Sequence, residues 1–240
     1  MSRRWIALLA RRRPEYRGTD RVLNIGHRGA GDLAPENTLV ALDRAAEAGA
    51  DMVEIDVHLS RDRELIVRHD FDGSLSLEDV RERHPDTPTL AECITRAQQL
   101  GLLLNVEIKN LPARYPGIEA QVVATVRRLD AVLDVLISSF DHEALAAVRA
   151  LNDAVATAVL TQDRLYQPLT YLMRLDADAL HPGGYVPDRA LADTIRASHR
   201  GVNVWTENDP ATMRRLVASG VTGIITDYPN RLRTLLDGHP

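Results

Sequence analysis

The chain has a single cysteine, Cys93, in 240 residues. One thiol excludes an internal disulfide framework and suits a reducing compartment, so the expected location is the cytoplasm. Cys93 falls mid-helix in TLAECITRA and reads as a small core residue. Long apolar runs are also missing: none reaches the roughly 18 residues that a transmembrane helix needs. No secretory leader is expected, because the apolar stretch Trp5–Ala10 is shorter than the about 7–15 residues of a leader core. RRRP follows it where a small-residue cleavage site would stand. Lysine is the scarcest charge: Lys109 is the only one, and the other 28 basic residues are arginine. No repeat of 20–50 residues and no low-complexity tract interrupts the chain.

What is present fits a globular protein: 45% of residues are apolar and 26% charged. A net charge of −5 argues against nucleic acid as the partner, since phosphate backbones recruit basic surfaces. Short β-branched runs alternate with longer amphipathic segments. Strands are expected at 22–28, 52–58, 102–108, 134–140, 156–161, 178–182, 202–206 and 223–227. Helices are expected near 37–48, 89–100, 118–130, 142–151, 165–175, 188–199, 210–219 and 230–237. Eight strands and eight helices in strict alternation predict an α/β fold, a single (β/α)8 TIM barrel. An open doubly wound sheet is the alternative. Residues 64–69 (ELIVRH) break the pattern. Only Ser60 to Arg63 separate them from the strand before, too few for a parallel crossover but enough for a hairpin. They are therefore expected to run back antiparallel beside the second strand, as an extension outside the eight.

Residues 1–21 read as a basic extension and residues 22–240 as the barrel domain. The extension holds seven arginines (3, 4, 11, 12, 13, 17 and 21) against Glu15 and Asp20, a formal charge of about +5. Trp5, Leu8 and Leu9 have helical spacing. That leaves three readings: a basic amphipathic helix touching an anionic membrane surface, a frayed tail, or a helix closing the barrel bottom.

Catalytic residues of such barrels lie at the C-terminal ends of the strands. Here those ends are polar: GHRG, EIDVH, EIKN, SSFD, HPGG, WTEND and TDYP. Strand alternation puts Glu54, Asp56 and His58 on one face and Val53, Ile55 and Val57 on the other. Glu107 and Lys109 share a face in the same way. Three carboxylates converging in a barrel mouth repel one another unless a cation offsets them, and oxygen ligands favour Mg²⁺ or Ca²⁺. The other reading is a set of separate surface ion pairs. Lys109 beside a candidate ligand suits a phosphate oxygen. His27 and Arg28 precede Gly29 and Gly31, in a turn where backbone can approach a ligand. His69 ends the hairpin strand, so two histidines flank the acidic set as a candidate acid–base pair. Glu36, in Pro35-Glu36-Asn37-Thr38, reads equally as a helix start with acidic charge at the positive dipole end.

In order, GHRG, APENTLVAL, EIDVHLSRDRELIVRHD, PTL, NVEIK, VNVWT and GIITDYP resemble the glycerophosphodiester phosphodiesterases, over about residues 22–236. The resemblance implies a barrel, a divalent cation, and hydrolysis of a small-molecule phosphodiester to an alcohol and glycerol 3-phosphate. It implies His27 and His69 as the catalytic pair and Glu54, Asp56 and Glu107 as metal ligands. It further implies Arg28 and Lys109 as phosphate contacts and Trp205 as the residue against which glycerol packs. The chain departs from the family pattern after His69-Asp70. The proline-threonine turn and longer insertion of typical members are replaced by residues 71–87 alone. This reduced cap raises the expectation that bulkier diesters such as lysophospholipids are accepted. A sphingomyelinase D-like lipase, a non-catalytic phosphate-binding barrel and an unrelated barrel enzyme using Lys109 as a Schiff base stand as rivals. No feature of the sequence sets the oligomeric state.

Overall fold

The structure, a computed structural model, describes residues 4–12 and 21–238. Arg3 and residues 13–20, which carry Arg13, Glu15, Arg17 and Asp20 of the basic extension, lie outside the described residues.

Eight parallel strands close on themselves. They are β1 (Leu23–Gly26), β2 (Met52–Leu59), β4 (Leu103–Ile108), β5 (Val135–Ser139), β6 (Ala156–Thr161), β7 (Ala179–Pro182), β8 (Gly201–Val204) and β9 (Gly223–Thr226). The ring runs β1-β9-β8-β7-β6-β5-β4-β2 and is sealed by a β1–β2 pairing. The short strand β3 (Leu65–Val67) pairs antiparallel with β2, outside the ring, through Val57↔Val67 and Leu59↔Leu65. The predicted hairpin is therefore present, and the open-sheet alternative is excluded by closure. The helices that carry the chain between barrel strands are α2 (Leu39–Glu47), α4 (Leu90–Leu100), α5 (Ile118–Arg128), α6 (His142–Leu151), α7 (Pro168–Arg174), α8 (Arg189–Ala197) and α9 (Pro210–Ser219); α10 (Pro229–Leu236) follows β9. Side-chain oxygens of Thr38, Thr89, Asp141, Asp188 and Asp209 cap the starts of five of them by accepting backbone N–H bonds.

Strand alternation produces two apolar shells. Val53, Ile55, Val57, Val106 and Ile108 face the helices, where Cys93 is also buried. Leu23, Ile25, Met52, Leu103, Leu136, Ala156 and Ala179 face the barrel axis. Five of these seven are the first residues of their strands, so this inner cluster fills the N-terminal end of the barrel.

The helix α1 (Arg4–Arg12) closes that end, one of the three readings of the extension. Trp5, Leu8 and Leu9 are buried in the inner cluster, and Trp5 lies where a Cβ on Gly201 would reach within 2.9 Å of its ring. Arg4 locks the plug: its Nε donates to both oxygens of the fully buried Asp178 at 3.0 Å. The apolar face that a membrane-surface helix would present is thus taken up inside the molecule.

One helix was not expected. Residues 71–87 contain α3 (Leu77–Arg83), started by a capping box between Ser76 and Asp79. It is two turns long and buries only Val80, too little apolar periodicity for its pattern to stand out.

Candidate active site

Glu54 and Asp56 project from β2 and Glu107 from β4, all three buried at inward positions. Register brings them together: Asp56 is directly opposite Glu107, and Glu54 opposite Asn105. Each offers an oxygen within 4.8 Å of the others. Burial, and then the nearby Asp56, push Glu54 up to about 8 and Glu107 up to about 7. Glu54 Oε2 accepts the backbone N–H of Arg28 at 2.9 Å, whereas its Oε1 is buried with no hydrogen-bond partner. A buried, unpaired carboxylate oxygen beside two further carboxylates is a donor set suited to a hard divalent cation.

Two cations flank the cluster. Lys109 Nζ lies 3.0 Å from Glu107 and 3.5 Å from Asp56. Arg28 Nε lies 3.4 Å from Asp56 on the opposite side, while its Nη1 donates to Glu36 at 2.8 Å. Three carboxylates against one lysine and one arginine leave the cluster with a formal charge of minus one. A divalent cation would turn that to plus one, matching the single negative charge of a phosphodiester.

His27 follows β1, in the turn after the strand rather than in the strand itself. Its Nδ1–H donates to Asp227 Oδ1 at 2.7 Å, because a carboxylate can only accept. That leaves Nε2 facing Glu54 at 4.0 Å. Burial alone would lower the imidazole's pKa; the bond to Asp227 and the charge of Glu54 outweigh it, and His27 is held above its ordinary value. His69 follows β3. Its Nδ1 is likewise tied to a carboxylate, Asp70, at 2.7 Å, so its Nε2 is also the free nitrogen.

The supporting residues were harder to see in the sequence. Asn208 donates to Asp227 Oδ2 at 2.7 Å and accepts the Asp227 N–H at 3.0 Å, completing a chain from β8 through β9 to His27. Asn37 clamps Asp56 from both sides, donating to Oδ2 at 2.8 Å and accepting its backbone N–H at 3.1 Å. Asn37 and Arg28 both have left-handed backbone, φ 58 and 51, joined by an Asn37 N–H to Arg28 carbonyl bond of 2.9 Å. Gly29, at φ 96, lets this turn sit on α2, where a Cβ would come within 2.5 Å of Ala41. His58 is not a ligand. Its Nε2 bonds the His69 carbonyl at 2.9 Å and its Nδ1 the Tyr115 hydroxyl at 3.0 Å, and burial holds it below its ordinary pKa, hence neutral. The only sequence signals for Asp227 and Asn37 were their places in TDYP and PENT.

Trp205 follows β8. Its Nε1 donates to the His181 carbonyl at 2.7 Å, Gly183 leaves room for the ring, and Phe140 packs edge-on at 5.4 Å. It thereby forms a fixed, partly exposed aromatic surface at the mouth. On the other side of the mouth, His69 and Lys109 form the inner wall of a cleft of about 700 Å³ bounded by α3 and the loop after β4. A second cleft of about 420 Å³ lies between α3 and the Pro35–Thr38 turn, with His69 shared between the two.

Known proteins share the sequence pattern and the fold of this chain. The profile of the glycerophosphoryl diester phosphodiesterase family matches residues 27–231. A glycerophosphodiester phosphodiesterase of Caldanaerobacter subterraneus subsp. tengcongensis is 31% identical over 238 aligned positions, which cover 90% of this chain and 98% of the relative. A structure from Silicibacter pomeroyi DSS-3 superposes with TM-score 0.85 at 24% identity, covering 97% of each chain, which speaks to the fold alone. A phosphodiesterase of Oleispira antarctica, solved in complex with its product sn-glycerol 3-phosphate, superposes with TM-score 0.77 at 27% identity, over 89% of this chain and 96% of that one.

Proposed function

The chain belongs to the glycerophosphoryl diester phosphodiesterase family, and from that membership we propose that it hydrolyses glycerophosphodiesters to an alcohol and glycerol 3-phosphate. The observation that carries the reading is the buried Glu54–Asp56–Glu107 cluster between Arg28 and Lys109, with His27 beside Glu54 and His69 lining the adjoining cleft with Lys109. The ligands would be those three carboxylates, and the cation Mg²⁺ or Ca²⁺. When bound, it supplies Lewis-acid polarisation of a phosphate oxygen. Arg28 and Lys109 bind the remaining phosphate charge. One of His27 and His69 takes a proton from the nucleophile and the other gives one to the leaving oxygen, each through the Nε2 that its carboxylate leaves free. Trp205 packs against glycerol. Asp227, Asn208, Asn37 and His58 hold these groups in place.

The substrate reading extends to bulkier diesters such as lysophospholipids. Support comes from the short 71–87 segment, which holds only the two-turn helix α3. No helix among the described residues is long and apolar enough to cross a membrane. We place the protein in the cytoplasm on the strength of its single buried thiol, and keep residues 1–21 as a basic extension of one barrel domain.

The test is a panel of glycerophosphocholine and a lysophospholipid with Mg²⁺, Ca²⁺ and EDTA. Release of choline that EDTA abolishes supports the reading. No turnover of any glycerophosphodiester with either cation overturns it. A strong preference for glycerophosphocholine over the lysophospholipid removes the extension to lipids.

A further inference from the structure

The larger cleft begins at the site and leads away from it. In the ring order, β4 and β8 are four strands apart in either direction, so the residues that follow them, Lys109 and Trp205, stand on opposite sides of the mouth. A diester whose phosphate lies over the carboxylate cluster, with glycerol on Trp205, must send its other alcohol toward β4, β3 and α3. That is the cleft walled by His69, Lys109, Phe71, Leu111 and the end of α3.

The charges in this cleft are unevenly paired. Asp70 is bonded to His69, and Asp72 accepts the Ser74 N–H at 2.9 Å. Lys109 faces Glu107 and Asp56. Arg68 uses only its Nε, on the Asp70 carbonyl at 3.1 Å. Arg83, the last residue of α3, makes no side-chain hydrogen bond or ion pair among the described residues. Its charge acts on Asp79 one turn back, but the hydrogen bonds of that carboxylate go to Ser76 and Arg61. His84 beside it has an equally unengaged ring. The helix that carries them is fixed: Val80 is buried, Arg81 donates to the Thr87 carbonyl and to Glu92, and Asp62 accepts the Leu77 N–H. Arg68 and Arg83 both line this cleft, and the smaller one beside it, with guanidinium groups that no carboxylate side chain takes up, and a guanidinium fork suits a phosphate in geometry as well as charge.

We propose that this cleft is the leaving-alcohol subsite and that Arg83, with Arg68, selects glycerophosphodiesters whose alcohol itself carries a phosphate. The proposal rests on the phosphodiesterase reading and names the substrate class for it. A choline group in the same place would meet Arg68, Arg83 and Lys109 against Asp70 and Asp72, three cations to two carboxylates, so it is the disfavoured alcohol.

The experiment compares kcat/KM for glycerophosphoinositol 4-phosphate and glycerophosphocholine in the wild-type protein, Arg83→Glu and Arg83→Lys. The wild type should favour the phosphorylated alcohol. Charge reversal should lower the ratio of the two kcat/KM values by at least about tenfold, mainly through KM, and lysine should restore part of it. Hydrolysis of both diesters with a ratio that Arg83→Glu leaves unchanged, or a wild type that prefers choline, overturns this proposal alone. Hydrolysis of neither overturns the phosphodiesterase reading and the proposal with it.

Discussion

The two ends of the barrel solve the problem of buried charge in opposite ways. At the N-terminal end, the fully buried Asp178 accepts bonds from Arg4, from Arg149 Nη2 at 2.8 Å and from the Thr157 N–H at 2.9 Å. Around it, Trp5, Leu8 and Leu9 exclude water from the axis. At the C-terminal end, three buried carboxylates crowd together and one oxygen of Glu54 has no partner. The first arrangement stabilises the fold with paired charge and apolar packing. The second holds repulsion that only a bound cation or protons can relieve. The difference teaches that this chain separates stability from chemistry along the barrel axis.

Substitutions should therefore act differently at the two ends. The largest effect expected is His27→Ala or His69→Ala, each lowering turnover by about 10²–10⁴-fold with the melting temperature nearly unchanged. A variant that keeps near-full turnover would remove that histidine from the mechanism. At the other end, Trp5→Ala should cost about 3–5 kcal/mol of stability in denaturant melts while the specific activity of the folded fraction persists. Equal loss of activity per folded molecule would show that the two ends are coupled.

The carboxylate cluster supplies a pH test. Burial, and then the nearby Asp56, raise Glu54 from its ordinary 4.5 to about 8, so the folded metal-free state holds a proton that the unfolded state releases at lower pH. Its contribution is present below about pH 4.5 and is lost as pH rises through about 8. Thermal melts without metal should therefore fall between pH 5 and 8, and added Mg²⁺ or Ca²⁺ should raise stability most at the alkaline end. Glu54→Gln should melt above metal-free wild type at pH 8 and gain nothing from the cation. A flat metal-free profile would show that the repulsion is absent. The smallest effect expected is Tyr115→Phe. It loses the hydroxyl between His58 Nδ1 and the Phe71 carbonyl, should cost about 1 kcal/mol, and should slow turnover modestly by loosening the His69 loop.

Much of this was legible beforehand because it is local. The period of two along β2 was enough to put Glu54, Asp56 and His58 on one face, and four residues between β2 and β3 were enough to require a hairpin. His58 shows where such reading stops. It shares the acidic face, but its ring turns to the His69 carbonyl and Tyr115, and a strand pattern carries no information about that. α3 was missed because a two-turn helix with one buried residue leaves almost no periodic trace.

By itself the sequence determined the alternation of strands and helices, the placing of polar residues at strand ends, and the identity of the acidic and basic groups. Each of these is a property of neighbouring residues. Only the tertiary structure decided which partners complete them. Asp227 reaches His27 across 200 residues, Asn37 reaches Asp56 across 19, and Arg4 reaches Asp178 across 174. Such pairs are set by barrel closure, which joins the first strand to the last and gives side chains remote in sequence a common axis.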